Sequence, residues 1–378
     1  MFKRNPAKGL RYALAVIFII TSFCARKENG EQTKTTSKSD KKSAFSDLFE
    51  QSEIVPLIAD PGFQLSSLPS IGAVNKNGDF IILDNYWVRQ VLAFDHSGKG
   101  KAKLGKQGNA DGEYQYPDNM FYQEHGSIYY IYDGDLLRVL IFDANFEYSM
   151  SFNMPLYLDA LAVADDGRIF GYTSGPSSQQ GVDRVVYECD KTGRVLRKFC
   201  KPWKDYFSLA EYKGGGVAIV ENYLYVVTPY ELRIRKFDLR GRLINDVVGS
   251  SEYYVPPSRP TKRMIEGMRQ DIAKWRAYYL KSSHIRQIIQ IGNEMIGIII
   301  ASPADRSILL NIYDLELNQL VADVVVPDHV DGPHAIYTRG DRLYMLRRMG
   351  SYDKDKNPAM VVYKLKRDIL TNTENNMR

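Results

Sequence analysis

Asp328, His329, Asp331 and His334 fall within one short stretch, VPDHVDGPHAIY. Imidazole nitrogens and carboxylate oxygens together are the donors a divalent ion accepts. These four are therefore a candidate metal site, and a divalent metal ion is the cofactor the residues suggest. Their spacing is neither that of a helix face nor that of a metal ribbon, so an ordinary polar loop is the alternative. A second group could bind without reacting: Asn85, Tyr86 and Trp87, then Asp133 and Asp135, then Tyr230. Aromatic faces stacked on a sugar or peptide, with amides and carboxylates at their edges, make a ligand site. Equally, each aromatic could cap a hydrophobic interface. Nucleophilic chemistry has less to stand on. The chain has no GxSxG elbow and no CxxC pair, and Gly105-Lys106-Gln107-Gly108 is not a phosphate-cradling loop. No catalytic residue is identified.

The elements that must position these residues repeat. The stretches GDFIILDNYWVRQVLAFDHSGK from Gly78, GSIYYIYDGDLLRVLIFDANFE from Gly126 and NYLYVVTPYELRIRKFDLRGR from Asn222 share one pattern. Further copies start at Gly167, Gly292 and Gly340. Each has a turn residue, an apolar strand, a polar break, a second apolar strand, then an aromatic, an Asp and a turn. The aromatic column is Phe94, Phe142, Cys189, Phe237, Tyr313, Tyr363, at spacings of 48, 47, 48, 76 and 50 residues. Asp95, Asp143, Asp190, Asp238 and Asp314 follow it, and Lys364 breaks the column. A period near 48 with about four strands per copy is that of a β-propeller blade. The Asp suits the first position of a tight turn, with Gly98, Gly193 and Gly241 three residues on. These carboxylates are structural on this reading. Arg89 and Arg138, at matching places in two copies, are expected to brace blades.

The fold class is all-β: a six-bladed propeller of four-stranded blades, spanning residues 49–366. The last copy lacks an outer strand, and SEIVPLI, Ser52 to Ile58, is a strand without a blade, so the two should pair and close the ring. GKQGNADGEYQYPDNMF, Gly105 to Phe121, is then the joint from the outer strand of blade one to the inner strand of blade two. LGKQGNADGEYQYPDNMFYQEHGSIYYIYDGDLLRVLIFD resembles an NHL-type repeat, and residues 50–366 resemble the six-bladed β-propeller lipoproteins common in Bacteroidetes. The long spacing before blade five departs from that pattern. It holds PPSRPTKRMIEGMRQDIAKWRAYYLKSSH, read as one inserted helix over about 260–283. Met264, Met268, Ile272, Trp275 and Tyr279 share one helical face, making it a lid over the central opening or a strut on the rim.

Residues 1–23 have the form of an export signal: Lys3, Arg4, Lys8 and Arg11, then an apolar run from Ala13 to Ile20. Cys24 follows, which resembles a bacterial lipoprotein signal with Cys24 lipidated. Cleavage near this point into a secreted protein, or an uncleaved anchor, are the alternatives. Residues 24–48 are Lys/Ser/Thr-rich and expected to form a disordered tether, reaching about 25 Å as a coil. The net charge of +5 resides in leader and tether, so nucleic acid is disfavoured as a partner. Cys189 and Cys200 should be unpaired core residues, and residues 367–378 a polar tail. The functional expectation is an outer-membrane, periplasmic or surface-facing propeller that binds a glycan, peptide or envelope protein through its loop face. Its alternatives are a hydrolase, lactonase or lyase with a metal or His/carboxylate site at the channel mouth, and a structural subunit docked through the helix near Trp275.

Overall fold

The computed structural model describes residues 44–66, 69–85, 88–174, 183–202, 214–258, 260–303, 307–327, 336–347 and 357–366. A one-turn helix α1 (Phe45–Leu48) leads into β1 (Phe49–Pro56). Blade one comprises β2 (Ser70–Val74), β3 (Phe80–Asp84), β4 (Gln90–Phe94) and β5 (Gly100–Lys103). A short parallel pair, β6 (Lys106–Gln107) with β7 (Glu113–Tyr114), precedes blade two. Blade two holds β8 (Pro117–Gln123), β9 (Ile128–Asp133), β10 (Arg138–Phe142) and β11 (Tyr148–Asn153). Blade three follows with β12 (Ala160–Val163), β13 (Ile169–Tyr172), β14 (Val186–Cys189) and β15 (Val195–Phe199). Blade four has β16 (Gly216–Val220), β17 (Tyr223–Thr228), β18 (Glu231–Asp238) and β19 (Leu243–Val248). Helices α2 (Lys262–Gln270) and α3 (Ile272–Tyr279) come next. Blade five is β20 (His284–Ile291), β21 (Met295–Ala301), β22 (Ile308–Asp314) and β23 (Gln319–Val325). Blade six is β24 (Ile336–Arg339), β25 (Arg342–Arg347) and β26 (Ala359–Leu365), completed by β1 in the order β1-β26-β25-β24.

The expected six-bladed propeller is thus the observed architecture, closed by its N-terminal strand. Blades stack face to face, so middle strands are covered on both sides and read as unbroken apolar runs such as FIIL and QVLAF. Outer strands have a free edge and alternate, as in GKAK of β5. The core is divided accordingly, with one apolar cluster between each pair of neighbouring blades.

The Asp column does what its spacing implied. In Asp95, Asp143, Asp190, Asp238 and Asp314 one carboxylate oxygen accepts the N–H groups two and four residues on, at 2.8–3.2 Å. The Thr192 hydroxyl and N–H hold the Asp190 carboxyl down to about 2. Where glycine is missing from the fourth position, Phe146 and Leu317 take the left-handed conformation instead, at φ 66° and 70°. Cys189 and Cys200 are buried and unpaired, as expected. A bulge after Glu188 sets Cys189 opposite Val195 rather than Leu196, where the register of the preceding pairs would put it.

Polar braces cross between blades. Glu188, 1% exposed, is gripped by Arg168 Nη1 at 3.1 Å and Arg197 Nε at 2.8 Å. Arg168 also donates to Leu239 O of blade four at 2.7 Å. Lys236 reaches blade five in the same way, donating to Leu315 O and Glu316. Arg89 and Arg138 brace too, with a different target: both bind the joint after blade one. Arg89 donates to Gln115 O, and Arg138 to Ala110 O and Glu113 O. Gly112 turns the joint back at φ 74°, and buried Tyr114 accepts the Val91 N–H at 3.0 Å.

Two boundaries differ from expectation. Packed chain begins at α1 rather than after residue 48, because Phe45 stacks on Phe49 and meets Tyr363 edge-on. The inserted helix is two helices. Asp271 ends α2 and caps α3, accepting the N–H groups of Ala273 and Lys274. The break divides the expected face: Met268 is buried, Met264 is exposed, and Tyr278 is buried with its hydroxyl on Ser258 O. The side chains of Ile272 and Trp275 lie outside the described set. At the base of the insertion His284 stacks on Tyr279 with ring centres 3.8 Å apart, and Ser283 ties back to Val255.

Glu188→Ala deprives two guanidinium groups of their shared buried carboxylate. Because both keep some water, a loss of about 3 kcal/mol is expected, at the low end for a broken buried pair, measured by denaturant unfolding. Burial pushes the His284 imidazole down to about 4 from 6.5. The unfolded chain therefore binds the extra proton first as pH falls. Stability from this group is complete above pH 6.5 and is lost as pH drops toward 4, by at most about 3 kcal/mol. The melting temperature should fall across that window, and less steeply in His284→Gln.

Candidate functional site

Antiparallel order fixes what each end of the ring carries. Inter-blade connections and second-to-third-strand turns share one end, the entry end. First-to-second and third-to-fourth turns share the other, the turn end. The inner strands β2, β8, β12, β16, β20 and β24 neighbour one another all the way round. Each is the last strand of its sheet, so one backbone edge faces the axis without a ladder partner. Side chains lace some of these edges together: Asn119 Nδ2 donates to Asp159 O, Gln123 Nε2 to Ala164 O, and Gln287 Nε2 to Ile336 O.

The edges enclose an axial cavity of about 1040 Å³. Its wall mixes apolar side chains, Met120, Tyr122, Ile288 and Tyr337, with polar ones, Asn119, Gln123, Gln287 and Gln290, and its turn end is charged. Tyr337 packs against the clusters on both sides of blade one, and burial pushes its hydroxyl up to about 12. Blade four enters the wall through Gly214-Gly215-Gly216. A Cβ on Gly215 would lie 2.5 Å from both Tyr172 Oη and Val227 O, so no side chain fits there. At the rim stand Lys76 of blade one, Glu124 of blade two, Asp165 and Asp166 of blade three, and Glu221 of blade four. Asn293 of blade five and Arg339, Asp341 and Arg342 of blade six complete the circle. Arg339 reaches across to Glu124 at 2.5 Å.

The entry end, where the sequence pointed, is used differently. Asp133 is fully buried and accepts four N–H groups, from Gln115, Tyr116, Asp135 and Leu136. It holds the chain entering blade two. Asp84 holds the chain entering blade one in the same way, accepting from Ser66 N at 2.8 Å, and burial raises its carboxyl above the ordinary carboxylate range. Asn85 is buried, and Tyr230 is 3% exposed, so its ring is core rather than an open stacking platform. Asp135 is exposed. Tyr86 and Trp87 lie outside the described residues, as do Cys24 and the set Asp328, His329, Asp331 and His334. Among the described residues no three His, Cys, Asp or Glu side chains gather as a metal site. His96 and His125 are exposed at the turn end. In blades one to four the rim residues escape the sequence pattern because they lie ahead of the turn residue that opens each copy. Lys76-Asn77, Glu124-His125 and Asp165-Asp166 come directly before Gly78, Gly126 and Gly167, and Glu221 directly before Asn222.

Two solved structures share this fold, and a third is similar over most of the chain. A Bacteroides fragilis protein described as exported is 13% identical over 86% of this chain and 97% of its own, with a TM-score of 0.62. A member of the DUF4221 family from Bacteroides vulgatus is 11% identical over 84% and 98%, with a TM-score of 0.59. A gluconolactonase from Xanthomonas campestris is 14% identical over 84% and 99%, with a TM-score of 0.48. No curated protein matches the sequence. The family described as "Domain of unknown function (DUF4934)" matches residues 32–234, more than half of the length, and the chain belongs to it.

Proposed function

We propose that this protein is an exported, envelope-tethered propeller that binds a small polar ligand in its axial cavity without transforming it. The observation that carries the reading is the cavity itself: about 1040 Å³, with apolar and polar groups sharing the wall and charges at the rim. That is about the size of a small-molecule seat, and the polar share of its lining suits a polar ligand. The described entry-end residues support the same choice, since Asp133 and Tyr230 serve the fold rather than an open surface. Export is supported by the basic leader and apolar run before Cys24, and by the Bacteroides fragilis relative described as exported. Lipidation of Cys24 and an outer-membrane address follow from the resemblance to NHL-like propeller lipoproteins.

Two measurements test this. Cys24→Ser should move the protein from the membrane fraction to the soluble one; unchanged sedimentation would remove the lipid anchor from the reading. A thermal-shift screen of the purified protein against amino acids, short peptides, oligosaccharides and divalent ions tests the cavity. A ligand at 100 times its dissociation constant adds about 2.7 kcal/mol. That gain should vanish in Ala160→Trp, which fills the cavity wall. A response to divalent ions alone, lost in His329→Ala and His334→Ala, would replace the binding reading with the hydrolase, lactonase or lyase one.

A further inference from the structure

Four charged side chains on the rim form no ion pair among the described residues: Lys76, Arg342, Asp165 and Glu221. Their rim neighbours are matched, Glu124 with Arg339, Asp166 with Arg168 and Asp341 with Lys364. The placement of the four is not random. In a ring of six, blade one stands opposite blade four, and blade six opposite blade three. Lys76 therefore stands across the mouth from Glu221, and Arg342 across from Asp165. The mouth has a cationic side and an anionic side with the cavity between them.

Opposite charges held apart by a concave, low-dielectric wall do not neutralise each other; they set a field across the opening. A ligand with one charge would be drawn to one side and left unpaired at the other. One with a cation and an anion a few bonds apart satisfies both. Below the rim, six strand edges offer N–H and C=O groups of the kind that pair with peptide backbone. We infer that the axial cavity takes a short peptide with free termini, its ammonium toward Asp165 and Glu221 and its carboxylate toward Lys76 and Arg342. This rests on the reading of the cavity as a ligand seat, and adds the chemical class.

The probe is trialanine, titrated calorimetrically into the purified protein at low salt beside its N-acetyl form, its C-terminal amide, free alanine and maltotriose. Trialanine should bind, and each capped form should bind more weakly, by up to about fivefold, as loss of one exposed ion pair implies. Glu221→Gln should weaken trialanine but leave the N-acetyl form unchanged; Lys76→Gln should weaken it but leave the amide unchanged. Both residues lie exposed in turns, so folding is preserved. Equal affinity for free and capped peptides, preference for free alanine, or binding of maltotriose alone would overturn the peptide assignment and leave the cavity reading standing. If none of the five binds, the peptide assignment fails outright. The wider screen, with Ala160→Trp, then decides the cavity reading separately.

Discussion

The ring depends on one antiparallel ladder between the two ends of the chain. β1 pairs with β26 from Phe49 opposite Leu365 to Pro56 opposite Ala359. Every other blade is contiguous in sequence and has its own hairpins. Blade six alone is assembled from residues about three hundred positions apart. Without it, the apolar clusters on both sides of blade six would lie open, since each draws on β1 or its flanks through Phe49, Val55 and Leu57. The axial cavity exists only because this seam holds the six inner strands in a circle.

Legibility in the sequence followed the range of the interaction. The turns were readable because Asp and its partners lie within four residues, and the aromatic before it fixes the strand register. The break at Lys364 proves informative: β26 is followed by no hairpin, because its outer neighbour is β1, so no turn asks for Asp there. Closure was readable because a strand without a blade and a blade without a strand leave one solution. What escaped were single-residue departures that neighbours impose. The bulge beside Cys189 shifts its partner by one, and Asp271 cuts a periodic helical stretch because its side chain caps the second half.

The candidate site was less legible, for a physical reason. An Asp in a turn looks the same in sequence whether it faces water or holds a loop. Asp133 became a loop anchor because the joint from blade one folds back over it and presents N–H groups. Tyr230, in the turn between β17 and β18, is likewise buried rather than open. The rim charges are the reverse case: ordinary turn residues one at a time, they acquire meaning only when the ring sets blade three against blade six and blade one against blade four. Circular order, not local pattern, carries that information.

The closing strand has a mechanical corollary. A pull on the N-terminal segment reaches the β1 ladder at its end, where Phe49 faces Leu365. Force applied there would peel hydrogen bonds from β26 one after another rather than shear them together, which is the weak direction for a strand. The α1 turn stands at that end. Phe45 is wedged against Phe49 and Tyr363, Lys366 N donates to Leu48 O at 2.9 Å, and Lys366 Nζ reaches Ser46 O. The turn acts as a stop on the zipper, so that load must first extract a buried aromatic before it can open the ring.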